Sequence, residues 1–305
     1  VHGICKEVGN TPLMELESPE GARIFAKLEY LNPSGSVKDR MAKHMADAAE
    51  ANDLLGRKRI VEATSGNTGI SFAWLSAVRG YEFTAVMPEM ATVERRSIMK
   101  LYGANLMLVS AVEGYSGAVE KAKAVSEESG AWLPSQYDNV ENIRAHEECT
   151  GPEILRQLEE RKAGELSAFV AGAGTGGTLI GVARAVRKSF SGVKIIGVEP
   201  EESPMISEGR KGSHGIGGIG IGFVPGIIAA NRSMVSAWKK VSTPQAIAHS
   251  RKLAHQGFGA GISAGANYAA ALHTAKELGE GVVITVLPDS SDRYYSTTLF
   301  PSAAD

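Results

Sequence analysis

Ala168-Phe169-Val170-Ala171-Gly172-Ala173-Gly174-Thr175-Gly176-Gly177-Thr178 is an apolar run that dissolves into glycine and re-emerges as a helical pattern. Residues 168–172 read as a strand buried on both faces, and 177–188 as a helix. The glycines between them let backbone amides converge at a helix N-terminus, where the dipole favours an anion such as a phosphate. The same stretch satisfies G-x-G-x-x-G through Gly172, Gly174 and Gly177, and Glu199 ends the next strand 22 residues on, where a ribose-binding acid would stand. Three readings stay open at this point: a dinucleotide site, a compact phosphate-ester site favoured by the hydroxyls of Thr175 and Thr178, and a ligand-free turn.

Outward from this junction the pattern repeats. Short apolar runs at 24–28, 59–63, 82–87, 105–109, 168–172, 194–198 and 281–287 predict strands. Segments of helical period at 37–55, 68–78, 92–102, 115–128, 177–188, 244–255 and 264–277 predict helices between them. Strand–helix–strand alternation predicts a parallel sheet with helices on both faces. Residues 134–142 look like a hinge or crossing between two such series; the glycine-rich 203–225 predicts a long loop over a site, or a disordered flap. The chain has 305 residues, which favours two domains, and a net charge of −2, which argues against a nucleic-acid or anionic-membrane partner. No apolar run is long enough to span a bilayer, and no signal pattern opens the chain, so a soluble, cytoplasmic protein is expected. Cys5 and Cys149 form no CxxC pair and predict two buried, reduced thiols. The seven histidines show no HxxxH or HxH spacing, so no metal site is supported, and no GxSxG elbow occurs.

Three more junctions that open helices carry polar chemistry. Glu62-Ala63-Thr64-Ser65-Gly66-Asn67-Thr68-Gly69 offers hydroxyls and amides that suit a carboxylate, with helix capping by Ser65 or Asn67 as the plain alternative. Gly261-Ile262-Ser263-Ala264-Gly265-Ala266 again places a serine at a helix start, where capping is the default. Asn32-Pro33-Ser34-Gly35-Ser36-Val37-Lys38-Asp39-Arg40 puts Lys38 in a first helical turn, where a cation opposes the dipole. Either Lys38 is a solvated partner of Asp39 or Glu29, or it is a Schiff-base lysine sharing its charge with an aldehyde cofactor.

Taken together, in this order and spacing, these segments resemble the cysteine synthase family, the pyridoxal-phosphate enzymes of fold type II that include O-acetylserine sulfhydrylase and cystathionine β-synthase. The resemblance covers nearly the whole chain. It is carried also by Gly9-Asn10-Thr11-Pro12-Leu13, Glu94-Arg95-Arg96, Gly151-Pro152-Glu153-Ile154, Gly222-Phe223-Val224-Pro225 and Arg293-Tyr294-Tyr295-Ser296-Thr297. It implies a tryptophan synthase β-like fold: two doubly wound, three-layer α/β domains with the active site in the cleft between them. Residues 1–38 and 140–305 would form the larger, cofactor-anchoring domain, and 39–139 the smaller, mobile, substrate-binding one.

The resemblance also implies roles. Lys38 would hold pyridoxal phosphate as an internal aldimine and then move the substrate α-proton. Gly174, Thr175, Gly176, Gly177 and Thr178 would hold the phosphate, Asn67 the ring hydroxyl, and Ser263 the pyridine nitrogen. A serine there does not force that nitrogen to stay protonated, which favours prompt β-elimination. Thr64, Ser65, Gly66, Thr68 and Gln136 would bind the amino-acid carboxylate. The implied activity is cysteine formation from O-acetyl-L-serine and sulfide through an aminoacrylate. O-phosphoserine or serine as donor, or a bulkier thiol such as homocysteine, are the alternatives, and Arg210 with Lys211 would be the cations for a phosphorylated donor. Tyr115, Tyr137, Cys149 and Asp289-Ser290-Ser291-Asp292 differ from the commonest family residues where that choice is made. A homodimer, and docking of a serine acetyltransferase C-terminal tail, are the implied partnerships. The chain ends at Asp305 without an appended regulatory domain, which favours the simpler synthase. A nicotinamide-dependent dehydrogenase using Gly172, Gly174, Gly177 and Glu199 is the remote rival, and a non-catalytic relative that kept the fold is another.

Overall fold

Side chains on β9 (Gly281–Leu287) show how the main sheet is built. Val283 and Leu287 join one apolar cluster while Val282, Ile284 and Val286 join a second on the opposite face, so the strand is apolar at nearly every position because both faces are covered. The computed structural model describes residues 3–55 and 58–300; Val1, His2, Gly56, Arg57 and 301–305 lie outside the described residues. Among the described residues there are two sheets. The first has six strands in the order β1-β2-β9-β6-β7-β8. These are β1 (Leu13–Leu16), β2 (Ala22–Leu28), β6 (Leu166–Gly172), β7 (Lys194–Pro200), β8 (Ala237–Val241) and β9. All pairings are parallel except β1 with β2. The second sheet is parallel throughout: β3 (Arg59–Ala63), β4 (Glu82–Pro88) and β5 (Asn105–Val109). Trp132 extends it by a bridge to Ile60.

The helices are α1 (Lys38–Ala51), α2 (Asn67–Arg79), α3 (Val93–Leu101), α4 (Gly114–Ser129), α5 (Val140–Ala145), α6 (Gly151–Glu160), α7 (Gly177–Ser189), α8 (Met205–Glu208), α9 (Gly226–Ala230), α10 (Thr243–His255) and α11 (Ile262–Leu278). α11 supplies Ala264, Ala266, Tyr268 and Ala271 to one face of the large sheet, and α7 supplies Leu179, Ile180, Val182 and Ala183 to the other. Around the small sheet, Met41, Phe72, Trp74 and Met99 from α1, α2 and α3 pack on one face, and Ala118 and Ala122 of α4 on the other. The α/β, doubly wound, three-layer expectation therefore holds for both sheets.

The seven expected strands are present, with β2, β4, β6 and β7 longer than expected, and the structure adds β1, β8, α5, α6, α8 and α9. The helix expected over 37–55 ends at Ala51. Residues 203–225 form a long loop, interrupted by the short α8, whose Gly217 and Gly218 border the cavity described below. Ile216 and Ile219 are buried in the large core, and His214 Nε2 lies 2.8 Å from the Gly220 carbonyl oxygen. Cys5 is buried as expected, but Cys149 is exposed. The π-helical turn His146–Thr150 that leads into α6 turns His146 and Thr150 inward and leaves Cys149 on the outer side.

Candidate active site

The glycine turn after β6 leaves amides without work. Among the described residues the backbone N–H groups of Gly174, Thr175 and Gly176 find no acceptor, and they stand at the N-terminus of the 13-residue α7. Gly176 holds φ at 92°, which glycine adopts freely, and a Cβ on Gly174 would run into the Gly218 carbonyl oxygen. Thr175 Oγ1 accepts from Gly177 N at 3.3 Å and from Asn142 Nδ2 at 3.0 Å, which fixes the turn from the side of α5. Thr178 Oγ1 lies 3.1 Å from His146 Nε2, and His146 Nδ1 lies 2.9 Å from Thr150 Oγ1. Burial pushes the His146 imidazole down to about 3, so the ring is neutral, one nitrogen donating and the other accepting.

Lys38 opens α1 on the far side of this turn. Among the described residues its Nζ makes no hydrogen bond. The alternative pairings do not form: Asp39 accepts from Ser34 N at 2.6 Å, and Glu29 is taken by Arg40 at 2.6 Å. Burial lowers the Lys38 amine to about 8, with the Asp289 carboxylate pulling the other way. Ser263, in the first turn of α11, is buried and its hydroxyl finds no partner among the described residues. Asn67 opens α2. Its Nδ2 donates to Asp289 Oδ2 at 2.7 Å and its Oδ1 accepts from Arg293, which leaves one amide hydrogen free. Lys38, Asn67, Gly174, Thr178 and Ser263 border one narrow cleft of about 40 Å³.

That cleft adjoins a cavity of about 310 Å³ bordered by Lys38, Thr64, Ser65, Gly66, Asn67, Thr68, Gln136 and Thr175, with Arg95, Tyr115, Tyr137, Gly217 and Gly218 on its other walls. Thr64 Oγ1 accepts from Gly69 N at 3.0 Å, which folds the 64–68 loop over the start of α2. Thr68 Oγ1 donates to Gln136 Oε1 at 2.7 Å, and Gln136 Nε2 donates to the Ala63 carbonyl at 3.3 Å. The Tyr115 and Tyr137 hydroxyls lie 2.8 Å apart. The residues given cofactor or α-carboxylate roles by the resemblance thus border one connected space, with Gly176 and Gly177 forming the turn behind it.

Glu62, one strand position before the loop, is buried and accepts from Ala63 N at 3.0 Å; burial drives its carboxyl up to about 8. A raised folded value stabilises the protein fully below the unfolded value near 4.3, and that stability is lost as pH rises toward 8. Relative to wild type, Glu62→Gln is therefore expected to unfold with a free energy higher by about 2 to 4 kcal/mol at pH 8 and by less than about 1 kcal/mol at pH 4. Urea titrations at the two pH values read this; an equal difference at both would place the proton elsewhere.

Several contacts at the site are not foreseen in the sequence reading. Asp289 and Arg293 hold Asn67 from 222 and 226 residues away, and His146 and Asn142 back the glycine turn. Asp289 and Arg293 are noted in the sequence without this role, whereas His146 and Asn142 give no signal. Glu199 does not act as a ribose acid: it is buried and accepts from Ile206 N at 2.9 Å and Ser207 N at 3.2 Å. Arg210 donates to the Glu201 and Glu202 carbonyls, away from the cavity. A larger, open depression of about 590 Å³ between β8, α10 and α11 carries lysines, but Lys239, Lys240 and Lys252 are paired with Glu277, Glu208 and Glu17. No cluster of metal ligands occurs among the described residues, and none of the described helices is long and apolar enough to cross a membrane.

An orphaned anion turn, a lysine amine of lowered pKa and an unpartnered serine hydroxyl bordering one cleft fit a phosphorylated aldehyde on a ring. The family model for pyridoxal-phosphate dependent enzymes matches residues 4–289, and the chain belongs to that family. Within it the chain is a cysteine synthase homologue. It is 43% identical over 306 residues to the cysteine synthase of Staphylococcus aureus strain Mu50, covering 98% of this chain and 97% of that one. In structure it is similar to an O-ureido-L-serine synthase, with a TM-score of 0.93, 38% identity and coverage of 99% and 96%. It is also similar to the O-acetylserine dependent cystathionine β-synthase of Helicobacter pylori, with a TM-score of 0.91, 34% identity and 99% of each chain covered. This family overturns the nicotinamide-dehydrogenase reading.

Proposed function

We propose that the chain makes cysteine from O-acetyl-L-serine and sulfide by β-replacement. The observation that carries this is the Lys38 amine, lowered to about 8 and, among the described residues, free of hydrogen-bond partners and beside a cavity that no carboxylate borders. Likeness to a cysteine synthase over the full chain supports it. Pyridoxal phosphate, when bound, supplies an electron-withdrawing ring that stabilises negative charge at the substrate α-carbon. In this reading Gly174, Thr175, Gly176, Gly177 and Thr178 hold its phosphate, Asn67 and Ser263 its ring, and Lys38 its aldehyde carbon.

Lys38 then serves as the base that holds the substrate α-proton, a task suited to an amine near neutral pH. Thr64, Ser65, Gly66, Thr68 and Gln136 receive the α-carboxylate; the first amides of α2 lack helical acceptors and their dipole faces it. Residues 39–139 close on 1–38 and 140–305 and exclude water while the β-carbon is reactive. A cytoplasmic homodimer, its cleft open to the C-terminal tail of a serine acetyltransferase, belongs to the same reading.

Assay of the holoenzyme with sulfide and O-acetylserine, O-phosphoserine or serine tests it. Stoichiometric cysteine and acetate are expected, with O-acetylserine the preferred donor by at least about 10-fold in kcat/KM, or about 1.4 kcal/mol. A different donor in first place, or homocysteine outpacing sulfide, overturns the substrate assignment.

A further inference from the structure

The reaction above gives no work to the second cation on the cavity wall. Arg95, on the first turn of α3, borders the same space as Lys38, and among the described residues these two are its only charged lining residues. Its guanidinium lies 5.2 Å from the centre of the Tyr294 ring, and its Nη2 stands 3.0 Å from where a Cβ on Gly217 would be. Its Nε is buried without a hydrogen-bond partner, and no carboxylate or carbonyl meets the group among the described residues. The neighbouring charges are spent elsewhere: Glu94 accepts from Ser296 N at 2.7 Å and Oγ at 3.0 Å, and Arg96 donates to the Glu89 carbonyl at 3.3 Å.

A guanidinium offers five donors, and a partly buried one left unmatched is unfavourable unless a ligand completes it. Two anionic groups already have places in the proposed function, the cofactor phosphate and the α-carboxylate. The third anion is the one the reaction creates. As Lys38 takes the α-proton, the Cα–H electrons form a Cα–Cβ double bond, and the Cβ–O bond breaks with its pair on the departing oxygen.

We propose that Arg95 receives this departing oxyanion and so selects donors whose leaving group is an acid anion, a carboxylate or a phosphate. The inference rests on the β-replacement reading and places the leaving-group cation at Arg95 instead of Arg210 or Lys211. It makes the two donors respond differently. O-acetylserine is uncharged at its ester until the bond breaks, so Arg95 acts in the transition state; O-phosphoserine is anionic from the start, so Arg95 acts in binding too.

The Arg95→Met and Arg95→Lys holoenzymes test this. For Arg95→Met we expect kcat on O-acetylserine to fall by about 10²-fold with KM within about threefold. With O-phosphoserine, KM should rise by about 10-fold or more, and Arg95→Lys should recover part of both losses. An equilibrium readout stands apart from turnover: 2-amino-3-phosphonopropionate carries the same β-anion on a bond that does not eliminate. Titrated by cofactor absorbance, wild type should bind it at least about 10-fold more tightly than alanine, a preference that Arg95→Met should erase. If both donors lost kcat in equal proportion and the phosphonate preference survived, Arg95 would merely pack the Gly217 loop and the proposal would fall. If wild type turned over neither donor, the β-replacement reading would fail, while the phosphonate titration would still decide Arg95.

Discussion

Lys38→Ala is expected to lose turnover on the order of 10⁴-fold while still holding pyridoxal phosphate without a covalent bond. The size of the loss follows from removing the covalent anchor and the base in a single change, since a positioned base alone contributes about 10²- to 10⁴-fold. Retention of the cofactor follows from the geometry: the amides of Gly174, Thr175 and Gly176 and the hydroxyl of Thr178 are untouched by the substitution. Borohydride treatment followed by intact mass and peptide mapping should find the cofactor on Lys38 in wild type and no adduct in the variant. A pH dependence comes with it. The amine attacks an aldehyde as the free base, so covalent capture of cofactor by the apoenzyme should quicken with rising pH and level off above about 8, where Lys38 is neutral. An ordinary lysine near 10.4 would still be quickening there. An adduct on another lysine, or a variant within 10-fold of wild-type turnover, would remove Lys38 from the centre of the reaction.

Most of the site was readable because its residues stand at or beside helix starts, Lys38, Asn67, Thr178 and Ser263 each in a first helical turn, and that position has a local signature of glycine, hydroxyl and periodicity. The strands were readable for a similar reason: in β9 and β6 both faces are buried, so apolar character is continuous. β8 is the counter-example. Its sequence, Ala237-Trp238-Lys239-Lys240-Val241, carries two lysines because it is the edge of the sheet, and what fixes it is Trp238 lying against the missing side chain of Gly197 in β7, a tertiary fact. β1 has only four residues and one partner, too little for a period to show. The site's hidden members fail for another reason. Asn67 is aimed by Asp289 and Arg293 from the far end of the chain, and no local pattern announces a contact across 222 residues. Arg95 and Arg96 are indistinguishable as letters; only the helical phase of α3 sends one to the cavity wall and the other to the Glu89 carbonyl.

Arg40→Met should destabilise the fold by about 3 to 5 kcal/mol at pH 7, because it strips the partner from a carboxylate that has no exposed surface. Arg40 Nε donates to Glu29 Oε2 at 2.6 Å and Nη2 to Oε1 at 2.8 Å, while the same guanidinium reaches Glu153 at 2.8 Å through Nη1 and Nη2. Lys27 Nζ adds 2.7 Å to Glu153, and Thr11 Oγ1 donates to Glu29 at 2.7 Å, so two cations and two carboxylates close a neutral cluster beneath the start of α1. Burial alone would raise the Glu29 carboxyl; Arg40 overrides it and holds the group down to about 2. A depressed folded value contributes stability above the unfolded value near 4.3 and loses it as pH falls toward 2. Without Arg40 the burial effect is left unopposed, Glu29 is protonated more easily, and the gap between variant and wild type should shrink below pH 4. Glu153 keeps Lys27 and is partly exposed, so Glu29 bears most of the penalty. The double variant Glu29→Leu with Arg40→Met, which removes the stranded charge, should recover at least about 2 kcal/mol of the loss. Urea unfolding by far-ultraviolet circular dichroism at pH 7 and pH 4 reads all three chains. A single variant within about 1 kcal/mol of wild type at pH 7, with the same denaturant slope, would mean that the cluster does not hold α1. Because Lys38 lies two residues before Arg40 on that helix, the same loss should also loosen the amine that the chemistry depends on.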